Sequence, residues 1–459
     1  MHKLVENHLG MRLWVLALVL ILMAASAVWA APPAMPEHVP QRVLLGITSD
    51  PAHSQTVTWR TDVSVESPQA QIAPWTASPK FGDDAKTVSA IPAEFTTGSG
   101  VSVVHYEATF TGLEADKCYG YRVGDGTVWS EWFLIRTASE KAAPFTFIYL
   151  GDAQADVKSL WSRAAREAFK SAPDASLILH AGDLVNEGYD DHLWEEWCEG
   201  LGFIGAMVPN LPAVGNHDMN LPDGAPGLPV AAHPLWRAHF ALPQNGPAGA
   251  PMLVDEAYWV DYQGVRFICL EGNAYSPEDY DPEARDIVQR KQVEWVEPLL
   301  AHNPNRWTVM LHHEPMYRTG RNADNPELRE AFLALYDKYH VDLVLQGHDH
   351  VYARSYKLTD GRVVDNSAPG TVYVVSVSGP KMYSFDLTYR DLMKKVQENT
   401  QLFQIVDVSA DRLRVEAWSV DGTWVDGFEL HKDEAGISTL VEISGLDAGR
   451  REVQTHQRD

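Results

Sequence analysis

The rhythm of apolar and polar positions changes along the chain. Between residues 36 and 140 the apolar runs are short and β-branched or aromatic. They are Val43-Leu44-Leu45-Gly46-Ile47, Thr56-Val57-Thr58-Trp59-Arg60, His105-Tyr106-Glu107-Ala108-Thr109-Phe110 and Tyr119-Gly120-Tyr121-Arg122-Val123. Several alternate apolar with polar, and turn residues such as Thr48-Ser49-Asp50-Pro51 and Gly124-Asp125-Gly126 separate them. Evenly spaced short strands over about 100 residues predict an all-β sandwich. After a linker from Ala138 to Pro144, Phe145-Thr146-Phe147-Ile148-Tyr149-Leu150 is continuously apolar, as in a strand buried on both faces. A helical stretch, Leu160 to Phe169, leads to a second such strand, Ser176 to His180. Helices around Gln292 to Leu300 and Glu327 to Tyr339 precede strands Thr308 to Leu311 and Val341 to Leu345. Strand–helix–strand alternation predicts α/β layering over residues 144–431. The end of that region, from Thr371-Val372-Tyr373-Val374-Val375 through Leu413 to Trp418, returns to β. Residues 432–459 lose apolar density and are expected to form a frayed tail.

The N-terminus changes the picture of where the chain works. Arg12 precedes the apolar stretch Leu13 to Ala25, and Val28 and Ala30 are the small residues a signal peptidase requires. Residues 1–30 therefore read as an export signal cleaved after Ala30, with Met11 an alternative start. An uncleaved anchor is the competing reading, but the run is shorter than the ~20 residues a span needs. The mature chain is expected to be periplasmic or secreted, without a stable membrane span. A formal net charge of −25 over 459 residues argues against nucleic acid or an anionic membrane as a general partner. Phosphate chemistry on such a chain needs strong local positive charge, which metal ions provide. Three cysteines, Cys118, Cys198 and Cys269, are too scattered for a disulfide framework or a metal knuckle. Oligomeric state is not legible.

Five polar clusters stand at the ends of apolar runs. They are Gly151-Asp152-Ala153-Gln154, Gly182-Asp183-Leu184-Val185-Asn186, Gly215-Asn216-His217-Asp218, His312-His313-Glu314-Pro315 and Gly347-His348-Asp349-His350. Singly, an Asp after a strand is often a helix cap and an Asn a turn former. Together they place carboxylates, imidazoles and an amide at the carboxyl ends of strands, where open α/β sheets build their sites. That donor set suits two borderline first-row ions, Fe, Mn or Zn. Two such ions about 3.5–4 Å apart bind a phosphate between them and activate water for in-line attack.

These clusters resemble those of the calcineurin-like metallophosphoesterases, and the purple acid phosphatase branch in particular, which also carries a fibronectin type III-like sandwich in front. The likeness includes Val57-Thr58-Trp59-Arg60-Thr61 and Tyr119 to Gly124 in the sandwich, and Gln292, Trp295, Val341-Asp342, Tyr352, Arg354 and Asp421-Gly422 beyond it. The resemblance implies a four-layer α/β/β/α domain and two metal ions per chain. It implies that Asp152 and His350 bind the first ion, that Asp183 bridges both, and that Asn216, His313 and His348 bind the second. It further implies that His217 orients the phosphate and protonates the leaving oxygen, and that metal-activated hydroxide hydrolyses a phosphate monoester. A phosphodiesterase or nucleotidase with the same ligands, and a non-catalytic extracytoplasmic binding module, are the competing functions.

Two positions depart from the pattern. Asn186 stands where the purple branch has its iron-binding tyrosine, and Gln154 where other members have a histidine. Gln154 reads either as a weak neutral ligand or as a neighbour of the ligands. Loss of the phenolate favours divalent over ferric iron. In the fourth cluster His312 and His313 compete for one role, because strand alternation sends them to opposite faces; the flanking Pro315 and Tyr317 favour His313. His180 and the Trp194–Trp197 pair read as packing. Tyr352 and Arg354 either line the cleft or buttress the fifth cluster.

Overall fold

The computed structural model describes residues 37–222, 224–276 and 280–445. The export segment read over residues 1–30 lies outside these, as does 446–459 of the expected tail. The sandwich consists of two four-stranded antiparallel sheets. One joins Gln41–Leu45, Ser54–Thr61, Ser102–Thr111 and Ile91–Thr96; the other joins Lys86–Ser89, Gln69–Pro74, Cys118–Gly124 and Phe133–Arg136. Alternation along Ser102–Thr111 buries Val104, Tyr106, Ala108 and Phe110 and turns Glu107 and Thr109 outward. Each large apolar side chain so buried stabilises the sandwich by about 1.5–3 kcal/mol.

The second region stacks two mixed seven-stranded sheets. The first runs Asn210–Pro212, Leu177–His180, Phe145–Leu150, Leu402–Val408, Arg412–Ser419, Trp424–Lys432 and Ser438–Glu442. The second runs Tyr258–Tyr262, Val265–Cys269, Trp307–Leu311, Leu343–Gln346, Val372–Val375, Tyr352–Ser355 and Met393–Gln397. Strand alternation sorts the second sheet's side chains between two cores. Phe267, Val309, Leu311, Leu343 and Leu345 join the core shared with the first sheet, where Phe147 meets Phe267 edge-on at 5.5 Å. Ile268, Met310 and Val344 face the helices Pro282–Ala301 and Pro326–Tyr339 through Val296, Leu300 and Phe332. Helix Ser162–Ser171 covers the outer face of the first sheet. The layers are therefore helix, sheet, sheet, helix.

Buried ion pairs fasten the parts together. Arg42 and Arg60 of the sandwich converge on Asp191 at the start of helix Asp191–Leu201, at 2.7 and 2.9 Å. Arg354 Nε donates to Asp426 at 2.7 Å, Tyr352 donates to the same carboxylate at 2.9 Å, and Arg354 reaches Glu442 at 2.8 Å. Tyr352 and Arg354 thus buttress the fold by pinning the second sheet to the first. The expected frayed tail is corrected by Ser438–Glu442, which pairs with Trp424–Lys432 and buries Leu440. Its apolar content is low because only alternate side chains face inward. The three cysteines are free, and among the described residues no helix is long and apolar enough to cross a membrane.

Candidate metal centre

Parallel strands of both sheets end at one place. Asp152 lies two residues beyond Phe145–Leu150, Asp183 three beyond Leu177–His180, and Asn216 four beyond Asn210–Pro212. From the second sheet, His313 follows Trp307–Leu311, and His348 and His350 follow Leu343–Gln346. The Tyr149 hydroxyl donates to the Gln346 carbonyl and ties the sheets together beneath them. The loops meet so closely that glycine is obligatory. A Cβ on Gly215 would stand 2.2 Å from the Asp183 carboxylate, and one on Gly347 would stand 2.3 Å from Asp152 Oδ1.

Two donor groups result. Asp152, Asp183 and His350 form one, all buried. His350 Nδ1 donates to the Lys381 carbonyl at 2.7 Å, which leaves Nε2 to face Asp152 Oδ2 at 3.1 Å. The Tyr383 ring stacks on that imidazole at 4.5 Å. The other group gathers His313, His348 and Asn216. His313 Nδ1 donates to the Ala181 carbonyl at 2.7 Å, so in the neutral ring Nε2 carries a lone pair. Asn216 Oδ1 lies 3.1 Å and His348 Nδ1 3.2 Å from that nitrogen, and they are 3.2 Å from each other. Three potential ligand atoms thus face one another, no pair more than 3.2 Å apart. A cation satisfies all three. Asp183 Oδ1, 3.4 Å from His313 Nε2, belongs to both groups. Burial opposes charge on His313, yet Asp183 and Asp152 outweigh it and hold its pKa well above the ordinary value. The surrounding carboxylates thus favour positive charge at this position.

The competing histidine points elsewhere. His312 shares the strand face of Met310, its Nδ1 donates to the Glu314 carbonyl at 2.7 Å, and burial lowers its pKa to about 4. His313→Ala is expected to lose one metal ion with the activity, whereas His312→Ala should cost about 1–3 kcal/mol of stability and keep both ions. Metal analysis and denaturant unfolding of the two variants separate these outcomes; reversed results would move the ligand role to His312.

Gln154 is buried with neither amide atom hydrogen-bonded, while its backbone N–H donates to the Asp183 carbonyl at 3.0 Å. An amide so placed fits a metal ligand. The Asn186 side chain turns to Glu187 at 3.0 Å, and its carbonyl accepts from His217 Nδ1 at 2.7 Å. His217 N–H donates to Asp183 Oδ1 at 2.9 Å, which places the ring beside the shared carboxylate. His180 belongs to the core, bonded to Asn210 at 3.0 Å, with burial lowering its pKa to about 4.

Sequence reasoning read Asp218 only as a turn former and gave no role to Asp349 or Glu314. Asp218 accepts from Leu184 N–H at 3.0 Å and Gly215 N–H at 2.9 Å, stapling the second and third ligand loops. Asp349 accepts from Thr319 Oγ1 at 3.0 Å and from Asn322 at 3.2 Å. All three lie inside the five clusters, so position was the available signal. Nothing in the sequence pointed to Lys381 and Tyr383, about thirty residues past His350.

Residues 145–352 match the calcineurin-like phosphoesterase model and residues 40–137 the purple acid phosphatase N-terminal domain. An uncharacterized protein of Mycobacterium tuberculosis is 27% identical over 341 residues, 68% of this chain and 61% of its own length. Acid phosphatase type 7 of Danio rerio is 26% identical over 57% of this chain and 60% of its length. Fe(3+)-Zn(2+) purple acid phosphatase 12 of Arabidopsis thaliana is 25% identical over 77% of this chain and 74% of its length. The chain thus spans about three fifths of the first two relatives. Among solved structures, a purple acid phosphatase from yellow lupin seeds superposes with a TM-score of 0.68 at 18% identity, covering 87% of this chain and 75% of that one. PhoD superposes with a TM-score of 0.64 at 14% identity, covering 90% and 94%. Their likeness is one of fold. Residues 145–352 thus form a calcineurin-like phosphoesterase domain, with the N-terminal domain of purple acid phosphatases in front of it at residues 40–137.

Proposed function

We propose that the protein is an exported, acid phosphatase-like hydrolase of phosphate monoesters that works with two metal ions. The observation that carries this reading is the pair of donor groups sharing Asp183 at the carboxyl ends of both sheets. The names of relatives, acid phosphatase type 7 and an Fe(3+)-Zn(2+) purple acid phosphatase, support it. Asp152, Asp183 and His350, with Gln154, would hold the first ion. Asp183, Asn216, His313 and His348 would hold the second. Bound there, the ions neutralise phosphate charge and activate water. Export rests on the apolar stretch Leu13 to Ala25 and the small residues at Val28 and Ala30.

His217 supplies the proton. Its Nδ1–H is committed to the Asn186 carbonyl, so Nε2 is the atom that holds a proton for the leaving oxygen. The backbone bond to Asp183 fixes where that ring stands relative to the phosphate. His217→Ala is expected to fold and keep both ions while losing about 10²–10⁴-fold in turnover. Esters with good leaving groups should suffer least, because they need little protonation. A panel of aryl phosphates of graded leaving-group pKa reads this directly. An equal loss across the panel would leave His217 only a positioning role, and wild-type turnover would remove it from the mechanism. A matched monoester and diester in the same assay separate the proposed activity from a phosphodiesterase.

A further inference from the structure

Glu314 is a fully buried carboxylate beside the second donor group, and its position is tightly fixed. Its carbonyl accepts from His312 Nδ1 at 2.7 Å and from Gln346 Nε2 at 3.1 Å. Its Oε2 accepts from Asn325 Nδ2 at 2.6 Å. Those bonds aim Oε1 at His348 Nδ1, 3.5 Å away. Oε1 thus joins His313 Nε2, which stands 3.2 Å from the same His348 nitrogen, in one group of candidate ligand atoms. Those spacings suit donors around one first-row ion, since ligands about 2.1 Å from a metal stand roughly 3–4.2 Å apart.

We propose that Glu314 is a carboxylate ligand of the second metal ion, beside Asp183, Asn216, His313 and His348. The inference rests on the binuclear reading above and deepens it. Asn186 leaves the centre without the phenolate of the purple branch, and Glu314 returns one anionic donor on the other ion. Asp152, Asp183 and Glu314 then bring three carboxylates to the pair. Two divalent ions keep a residual positive charge against them, enough to attract phosphate on a chain whose formal charge is −25. Each ion then has one carboxylate of its own beside the shared Asp183, and the added oxygen donor favours a hard divalent ion such as Mn²⁺ at the second site.

The test is titration of metal-free full-length protein with Mn²⁺, read by calorimetry and by electron paramagnetic resonance, with no assay of activity. Wild type is expected to bind two ions and show an exchange-coupled pair. Glu314→Gln keeps the shape and an acceptor for Asn325. It should bind one ion normally and the second at least about tenfold more weakly, with the coupled signal lost at matched loading. Glu314→Asp, which keeps the charge, should retain more second-ion affinity than the Gln variant. Thermal unfolding of the metal-free variants is expected to match metal-free wild type, since the role is in binding. A Gln variant with wild-type second-ion affinity overturns the assignment, whatever its stability. If the Gln variant does not fold, Asn325→Ala carries the same test, because it releases Oε2 and should weaken the second ion alone; unchanged affinity there overturns it equally. Wild type that binds fewer than two ions overturns the binuclear reading itself, and this inference with it.

Discussion

Asp183→Asn is expected to leave a chain that binds at most one metal ion. Hydrolysis of phosphate esters should fall by about 10³-fold or more, roughly 4 kcal/mol of transition-state stabilisation. Among the described residues Asp183 is the only carboxylate placed against both donor groups, with Oδ1 3.4 Å from His313 Nε2 and membership in the group of Asp152 and His350. The substitution is close to isosteric, and an amide oxygen still accepts the His217 N–H. Fold and loop geometry should therefore survive, and the loss belongs to the bridging charge. Metal analysis after gel filtration and kcat/KM on a phosphate monoester measure it. Two ions per chain with near-normal turnover would end Asp183's bridging role.

The second large effect is on stability and lies away from the metals. Asp426→Ala should destabilise the protein by about 3–5 kcal/mol, because it strands a buried guanidinium. Arg354 is 1% exposed and spends two of its bonds on Asp426. Its remaining partner, Glu442, is 39% exposed and screened by solvent, so it offsets little. Tyr352 loses its acceptor in the same substitution. Denaturant unfolding should show the loss while metal content at low temperature stays at the wild-type value. A change below about 1 kcal/mol would mean that Arg354 finds water or another acceptor.

Elements with a clean apolar period were legible from residues alone. Phe145–Leu150 agrees at both ends, and Pro326–Tyr339 differs by one residue from the helix read over Glu327 to Tyr339. Others hid behind polar residues that the fold pairs off. Val265–Cys269 contains Arg266, which interrupts the run yet is buried because it clasps Asp261 at 2.7 and 2.8 Å and the Leu299 carbonyl at 2.8 Å. Helix Pro282–Ala301 was read only over its last turns. Its buried stripe of Ala284, Val288, Gln292, Val296 and Leu300 includes a glutamine held by both backbone groups of Glu271. Met393–Gln397 buries only Met393 fully and gives almost no strand pattern.

The candidate site divides the same way. The clusters placed Asp152, Asp183, Asn216, His313, His348 and His350 at strand ends, and the structure brings these residues together. Between His312 and His313 the flanking residues could only lean; the parity of Val309 and Leu311, which face the inter-sheet core, turns His313 inward. The groups that orient the ligands were not legible. The Ala181 and Lys381 carbonyls are main-chain atoms, and a sequence does not show where a carbonyl will point.

Metal content of purified mature protein, measured with its visible spectrum and its hydrolysis of a phosphate monoester before and after chelation, tests the binuclear reading most directly. With Asn186 in place of the tyrosine, two ions per chain, a colourless or pale solution, and activity that disappears on chelation and returns with Mn²⁺ or Zn²⁺ are expected. One ion or none, hydrolysis that survives chelation, or a purple band that vanishes when Tyr189, the tyrosine three residues past Asn186, is replaced by Phe would contradict it.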